Sequence, residues 1–160
     1  MVAVLLGLGS NQNPKHALRS ALIALENLFG SLRLSSVYES EAVGFEGDNF
    51  LNMVVEISTN LTVGQLLAAL RKIEDDHGRD RSQPKFSGRT LDIDILTYGS
   101  MVGCIDGVTL PREEILSNAF VLKPLAECWP EALHPELLCC YADLWQQFDQ
   151  STQKLWPVDS

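Results

Sequence analysis

Asp92 and Asp94 stand in the segment RTLDIDIL (residues 89–96), whose apolar members suit a β-strand. On a strand, side chains alternate between faces, so Leu91, Ile93 and Ile95 point one way and the two aspartates the other. Their Cα atoms are then about 6.5–7 Å apart. Aspartate is disfavoured in strands, and like charges on one face repel each other. A magnesium ion removes that objection, because Mg²⁺ takes one or two carboxylates together with waters and substrate phosphates. An isolated D-x-D has a plainer explanation, an edge strand whose wetted aspartates discourage edge-to-edge association.

The neighbouring cations bear on the choice. Of the 12 Lys and Arg residues, Arg71, Lys72, Arg79, Arg81, Lys85 and Arg89 all fall between positions 71 and 89, in a chain of net charge −9. A basic segment in an acidic protein points to one small anionic ligand, although a solvated loop would also carry such charges. Carboxylates for a metal beside guanidinium groups for phosphate are what phosphoryl transfer needs, since that catalysis is mostly positioning and charge neutralisation. The acidic total argues against nucleic-acid or membrane partners, whose own charge it repels.

These residues need a frame. Residues 2–8 (VAVLLGL) suit a strand buried on both faces, and Asn13 is expected to cap a helix with Pro14 in its first turn and Gly30 at its end. Residues 31–38 and 50–59 read as the second and third strands. The second helix has a capping box, Thr62 with Gln65, a hydrophobic staple of Leu61 and Leu66, and Gly78 where it should stop. A polar loop of about a dozen residues leads to a fourth strand, 91–98. The order β-α-β-β-α-β is that of an α+β ferredoxin-like sandwich with an antiparallel sheet. Further helical segments are expected within 111–148, around PREEILSNAF and ALHPELLCCYADLWQQF.

One domain, 1–160, is expected from the length of 160 residues. No apolar run reaches the ~18–20 residues that span a bilayer, and the N-terminal MVAVLLGLGSNQ lacks the features of a signal peptide, so a cytoplasmic protein is expected. The four cysteines show no C-x-x-C spacing and are expected to be reduced and buried. His16, His77 and His134 show no ligand spacing. GLGSNQ between strand and helix fits neither a dinucleotide fingerprint nor a P-loop. Phe45 and Phe86, in polar loops, are either minor core plugs or lids over a flat ligand.

GLGSN ending the first strand, FLN opening the third, IEDDHGRDR closing the second helix, GRTLDIDIL and FVLKPLAE (120–127) together resemble the 6-hydroxymethyl-7,8-dihydropterin pyrophosphokinases of the folate pathway. That family has the ferredoxin-like fold and transfers pyrophosphate from ATP to the pterin hydroxymethyl group. The resemblance implies two Mg²⁺ ions on Asp92 and Asp94, with ATP as co-substrate. It implies catalytic or phosphate-holding roles for Arg79, Arg81 and Arg89, and ATP contacts for Glu74, Thr109 and Arg112. Ser40, Val43, Phe50, Asn52 and Phe120 would form the pterin pocket, and a monomer is expected.

The sequence also departs from the family pattern. After Pro111, Arg112 stands in the place of the histidine of a usual Pro-His, Asn118 where an arginine is usual, Phe86-Ser-Gly where Trp-Gly-Pro is common, and Glu41 where a pocket proline is usual. Two other readings are a paralogue that binds pterin or nucleotide with little turnover, and a phosphotransferase for another hydroxymethyl acceptor.

Overall fold

β1 (Val2–Ser10) is an interior strand of the sheet, as its apolar run requires: Val4, Leu6 and Leu8 are buried in one core, Leu5 in another. The structure, a computed structural model, describes residues 1–40, 49–77, 91–151, 153 and 155–158. Gly44, Phe45, Gly78, Lys85 and Phe86 lie outside the described residues.

The helix α1 (Pro14–Phe29) follows, then two short strands, β2 (Arg33–Leu34) and β3 (Val37–Ser40), and then β4 (Phe50–Thr59). The helix α2 (Val63–Asp76) leads towards β5 (Asp92–Tyr98). The sheet runs β5-β1-β4-β3-β8, where β8 (Leu155–Val158) is contributed by the C-terminal segment, and every pairing is antiparallel. Each helix thus joins two strands separated by a third, which is the ferredoxin-like α+β arrangement. Leu18, Ala21 and Leu25 of α1 and Leu66, Leu70 and Ile73 of α2 pack on one sheet face.

The opposite face is also covered, which explains why β1 has no polar side along its first half. There Leu5, Val54 and Leu96 meet α4 (Ala119–Cys128), preceded by the short helix α3 (Glu114–Ser117) and followed by α5 (Tyr141–Gln147). Between β5 and α3 stands a hairpin, β6 (Gly103–Ile105) and β7 (Val108–Leu110), turned at Asp106 and Gly107 with positive φ. Asp-Gly between apolar residues is a strong hairpin signal. It was legible in the sequence but is missing from the expected elements.

Several local expectations change. Asn13 does not cap α1 with its side chain; its backbone is left-handed, and its carbonyl accepts the Ala17 N–H at 3.0 Å. The second strand is split because Ser35 inserts its hydroxyl into the ladder, accepting the Val54 N–H at 2.8 Å. The capping box forms in full, with Thr62 N–H to Gln65 Oε1 at 3.0 Å and Gln65 N–H to Thr62 Oγ1 at 3.2 Å.

Residues 132–140 are not helical. His134 Nδ1 accepts the N–H groups of Glu136 and Leu137, and Leu138 takes positive φ, so α5 begins only at Tyr141. The cysteines are free but not buried: Cys104, on the hairpin, and Cys139 are exposed, while Cys128 and Cys140 are half-buried.

Candidate active site

The alternation expected of β5 holds. Leu91, Ile93 and Ile95 are buried in the core beneath α1 and α2, and Asp92 and Asp94 lie on the other face, partly exposed. Register then decides what stands beside them. Asp94 pairs with Gly7 and Asp92 with Gly9 across β1; on the far side of β1, Gly7 pairs with Val54 and Gly9 with Asn52. Directly paired residues share a face. Asp92, Gly9 and Asn52 therefore form one row across the sheet, and Tyr38, paired with Asn52, extends it. Ser40 and Phe50 pair one step further on. Carboxylates, bare backbone and an amide side chain thus follow one another on a single surface.

Gly9 is bare for a reason. A Cβ there would lie 3.2 Å from Asn52 Oδ1, so the glycine lets the amide lean over β1. Asn52 is buried, and its Nδ2 donates to Ser40 Oγ at 2.8 Å, which sets which end of the amide faces Gly9. Phe120, on α4, is half-buried against the second core cluster on this same face.

β5 is an edge strand, as the plainer explanation of D-x-D requires. The aspartates nevertheless do not merely wet an open face. The Asp94 side chain is 32% exposed, and burial pushes its carboxyl up to about 6. Arg112 opposes that rise, and Glu114, Asp92 and Glu74 add to it. A carboxyl so placed holds its negative charge at a cost, which a cation relieves.

Two residues support this pair from behind. Glu74 is fully buried; its Oε2 accepts the N–H of Ile93, the residue between the aspartates, at 2.9 Å, and its Oε1 accepts from Arg71 at 2.9 Å. An edge strand leaves alternate N–H groups without a ladder partner, and Glu74 supplies one where the spacing of the carboxylates is set. Replacing Glu74 with Ala is expected to lower stability by about 2–3 kcal/mol, since a buried bond to a charged group is lost. Glu74→Gln, which retains an acceptor, should lose less than half as much. Urea unfolding curves check both; a loss under about 1 kcal/mol for the alanine variant would rule out this support.

Arg112 is the other. Its backbone N–H donates to Leu96 O at 2.9 Å, which ties it to β5. Upstream, Asp106 Oδ2 accepts the Gly64 N–H at 3.0 Å and fastens the hairpin to the first turn of α2. The guanidinium lies 2.9 Å from Glu114 Oε1 and 3.6 Å from Asp94 Oδ1. Burial alone would lower its pKa; the negative charges of Asp94, Glu114 and Asp92 outweigh that and hold it above the ordinary value.

The structure brings Asp92, Asp94, Glu74 and Arg112 together, and places Ser40, Phe50 and Asn52 on the same sheet face. Thr109 is exposed on β7, opposite Cys104. Val43, Arg79, Arg81 and Arg89 lie outside the described residues. Glu114 was not anticipated, because its only signal in the sequence is its position two residues after Arg112. A cavity of about 230 Å³ lined by Lys15, Leu18, Arg19, Leu34, Val37 and Met53 opens on the α1 side and does not include the aspartates.

Residues 5–130 match the family model of 7,8-dihydro-6-hydroxymethylpterin-pyrophosphokinase. The chain belongs to this family. It is 36% identical to the 2-amino-4-hydroxy-6-hydroxymethyldihydropteridine pyrophosphokinase of Aquifex aeolicus over 137 residues, covering 84% of this chain and 85% of that one. The Haemophilus influenzae protein of the same name is 34% identical over 139 residues, covering 84% and 86%. Among solved structures, HPPK-DHPS of Plasmodium falciparum with pterin and p-hydroxybenzoate superposes with a TM-score of 0.74 at 16% identity. That match covers 91% of this chain and 43% of the longer one, and it shows the shared pyrophosphokinase fold. The segments GLGSN, FLN and LDIDIL all fall inside the family match.

Proposed function

We propose that this chain transfers the pyrophosphoryl group of ATP to the hydroxymethyl oxygen of 6-hydroxymethyl-7,8-dihydropterin, giving AMP and the pterin pyrophosphate for folate synthesis. The observation that carries the reading is the pair of adjacent rows Asp94–Gly7–Val54 and Asp92–Gly9–Asn52, which sets two carboxylates beside an amide over bare backbone in a chain of this family.

The donor set fits Mg²⁺. Among the described residues no group of three or more His, Cys, Asp or Glu side chains is placed to hold a metal ion. Two carboxylates suit an ion that completes its shell with water and phosphate oxygens. When bound there, one or two Mg²⁺ ions would supply charge neutralisation for the attacking and leaving oxygens. Asp92 and Asp94 would hold the ions on a strand whose spacing Glu74 secures. Asn52, oriented by Ser40, would hydrogen-bond the pterin edge, and Phe50, Phe120 and the segment around Val43 would enclose the ring. Arg79, Arg81, Arg89 and Arg112 would hold phosphate oxygens, with Thr109 on the nucleotide side; Glu74, buried with both oxygens engaged by Ile93 and Arg71, would act through β5 and not as the ATP contact expected of it.

The chemistry needs no side-chain nucleophile, because the pterin hydroxyl attacks the β-phosphorus and AMP departs. The test is direct. Incubation with Mg-ATP and the hydroxymethyl pterin is expected to yield AMP and pterin pyrophosphate in equal amounts by chromatography, and an Asp92→Ala control should yield neither. Pterin binding by calorimetry without either product would show a binding protein instead.

A further inference from the structure

We propose that Arg112 is the built-in cation of the aspartate site: it balances Asp94 before metal arrives, Glu114 holds it back from full contact, and metal binding releases it toward the nucleotide phosphates. The inference rests on the reading of Asp92 and Asp94 as metal carboxylates, and adds a step that precedes nucleotide binding.

Three observations carry it. The guanidinium is shared unequally. At 2.9 Å from Glu114 Oε1 it makes a charge-assisted hydrogen bond, whereas at 3.6 Å from Asp94 Oδ1 it is beyond hydrogen-bonding distance yet still within ion-pair range. A fixed structural pair would close that gap. Second, Arg112 Nε is buried and meets no acceptor among the described residues. A side chain seated at its final position would satisfy that donor, and rotation outward frees it. Third, the backbone on either side is fastened, by the Leu96 carbonyl at Arg112 and by the buried Ile115 after it. Only the side chain has freedom to move, and about a third of it is already exposed.

A divalent ion on Asp94 would repel the guanidinium. Glu114 gives it a second carboxylate on which to pivot, so it need not enter solvent unpaired. The triphosphate that comes with the metal then offers the bidentate acceptor that a guanidinium fits. The residue would thus oppose free metal and favour metal-nucleotide, through one side chain.

The experiment uses the full chain without nucleotide, with Mn²⁺ as the probe and the free ion counted by electron paramagnetic resonance. Arg112→Gln, which keeps size and polarity but not charge, is expected to bind Mn²⁺ about tenfold tighter, and Arg112→Ala likewise. Glu114→Gln is expected to bind it about threefold weaker, because the guanidinium is then free to settle on Asp94. The decisive arm is the double variant. In the Arg112→Gln background, Glu114→Gln should weaken Mn²⁺ binding clearly less than it does in the parent, by about 1.5-fold or less, since only the direct field of its charge on Asp94 remains.

Steady-state kinetics should show the opposite sign, with the KM for Mg-ATP raised about fivefold or more in Arg112→Gln. Equal effects of Glu114→Gln in both backgrounds would mean independent charges and overturn the proposal, as would unchanged Mn²⁺ affinity in both Arg112 variants. Asp94→Ala separates the two levels. If it abolishes Mn²⁺ binding while the Arg112 variants match the parent, the metal reading stands and this inference falls. If Asp94→Ala also binds normally, the metal reading falls with it.

Discussion

Asp94→Ala is expected to reduce turnover by about 10³-fold or more, while the chain remains folded and still binds pterin. The carboxylate sits on the face away from the α1/α2 core and in the row of Gly7 and Val54, so its removal opens no hole beneath the helices. The loss should fall on kcat, because in the proposed reaction the side chain would hold charge where charge develops in the transfer. Steady-state rates at saturating Mg-ATP, with circular dichroism to confirm folding, check it; kcat within tenfold of the parent would remove Asp94 from the site.

The same carboxylate has a stability signature of opposite sign. Its pKa is about 6 in the folded chain against an ordinary 3.8, so the folded state binds this proton more tightly than the unfolded state does. Stability from this group is therefore full below pH 4 and is lost as the pH rises through 6. Asp94→Asn, studied in EDTA at pH 8, should be more stable than the parent by about 1–2 kcal/mol, a full two-unit shift being discounted for the partly exposed side chain. At pH 4 the difference should disappear. Such a gain on neutralisation would fit the proposed role, a carboxylate whose charge a bound cation relieves.

Gly9→Val is expected to raise the KM for the pterin by more than about tenfold, with the KM for Mg-ATP changed much less. Even a Cβ at Gly9 would lie 3.2 Å from Asn52 Oδ1, and the γ-methyl groups of valine would displace the amide from its place over β1. The backbone there is not in the left-handed region, and valine suits a strand, so the effect is steric at the surface of the site rather than a loss of β1. Gly9→Ala should shift the same constant in the same direction by a smaller factor. A pterin KM within twofold of the parent in Gly9→Val would show that Asn52 does not read the pterin edge.

This glycine illustrates how the site divides between sequence and structure. GLGSN was quotable as a family segment, yet nothing in its own composition indicated that Gly9 makes room for a residue forty-three positions away. Glu74 was expected on the nucleotide side, and its sequence position carries no sign that its carboxylate accepts the N–H between the two aspartates. Arg112 was visible as a departure from the family pattern, but its partition between Glu114 and Asp94 was not.

What the sequence determined by itself is what local periodicity and local hydrogen bonding control. The alternation that puts Asp92 and Asp94 on one face, the capping box of α2, the order of strands and helices, and the two-sided burial of β1 all follow from residues within a few positions of one another. The register between strands, and the docking of the β6–β7 hairpin through Asp106 onto α2, belonged to the tertiary structure alone. Register depends on which distant side chains pack together across the sheet, and a shift of one residue would send every side chain to the other face. Only that pairing sets Asp92, Gly9 and Asn52 in one row, and so puts the D-x-D strand beside the other residues of the candidate site.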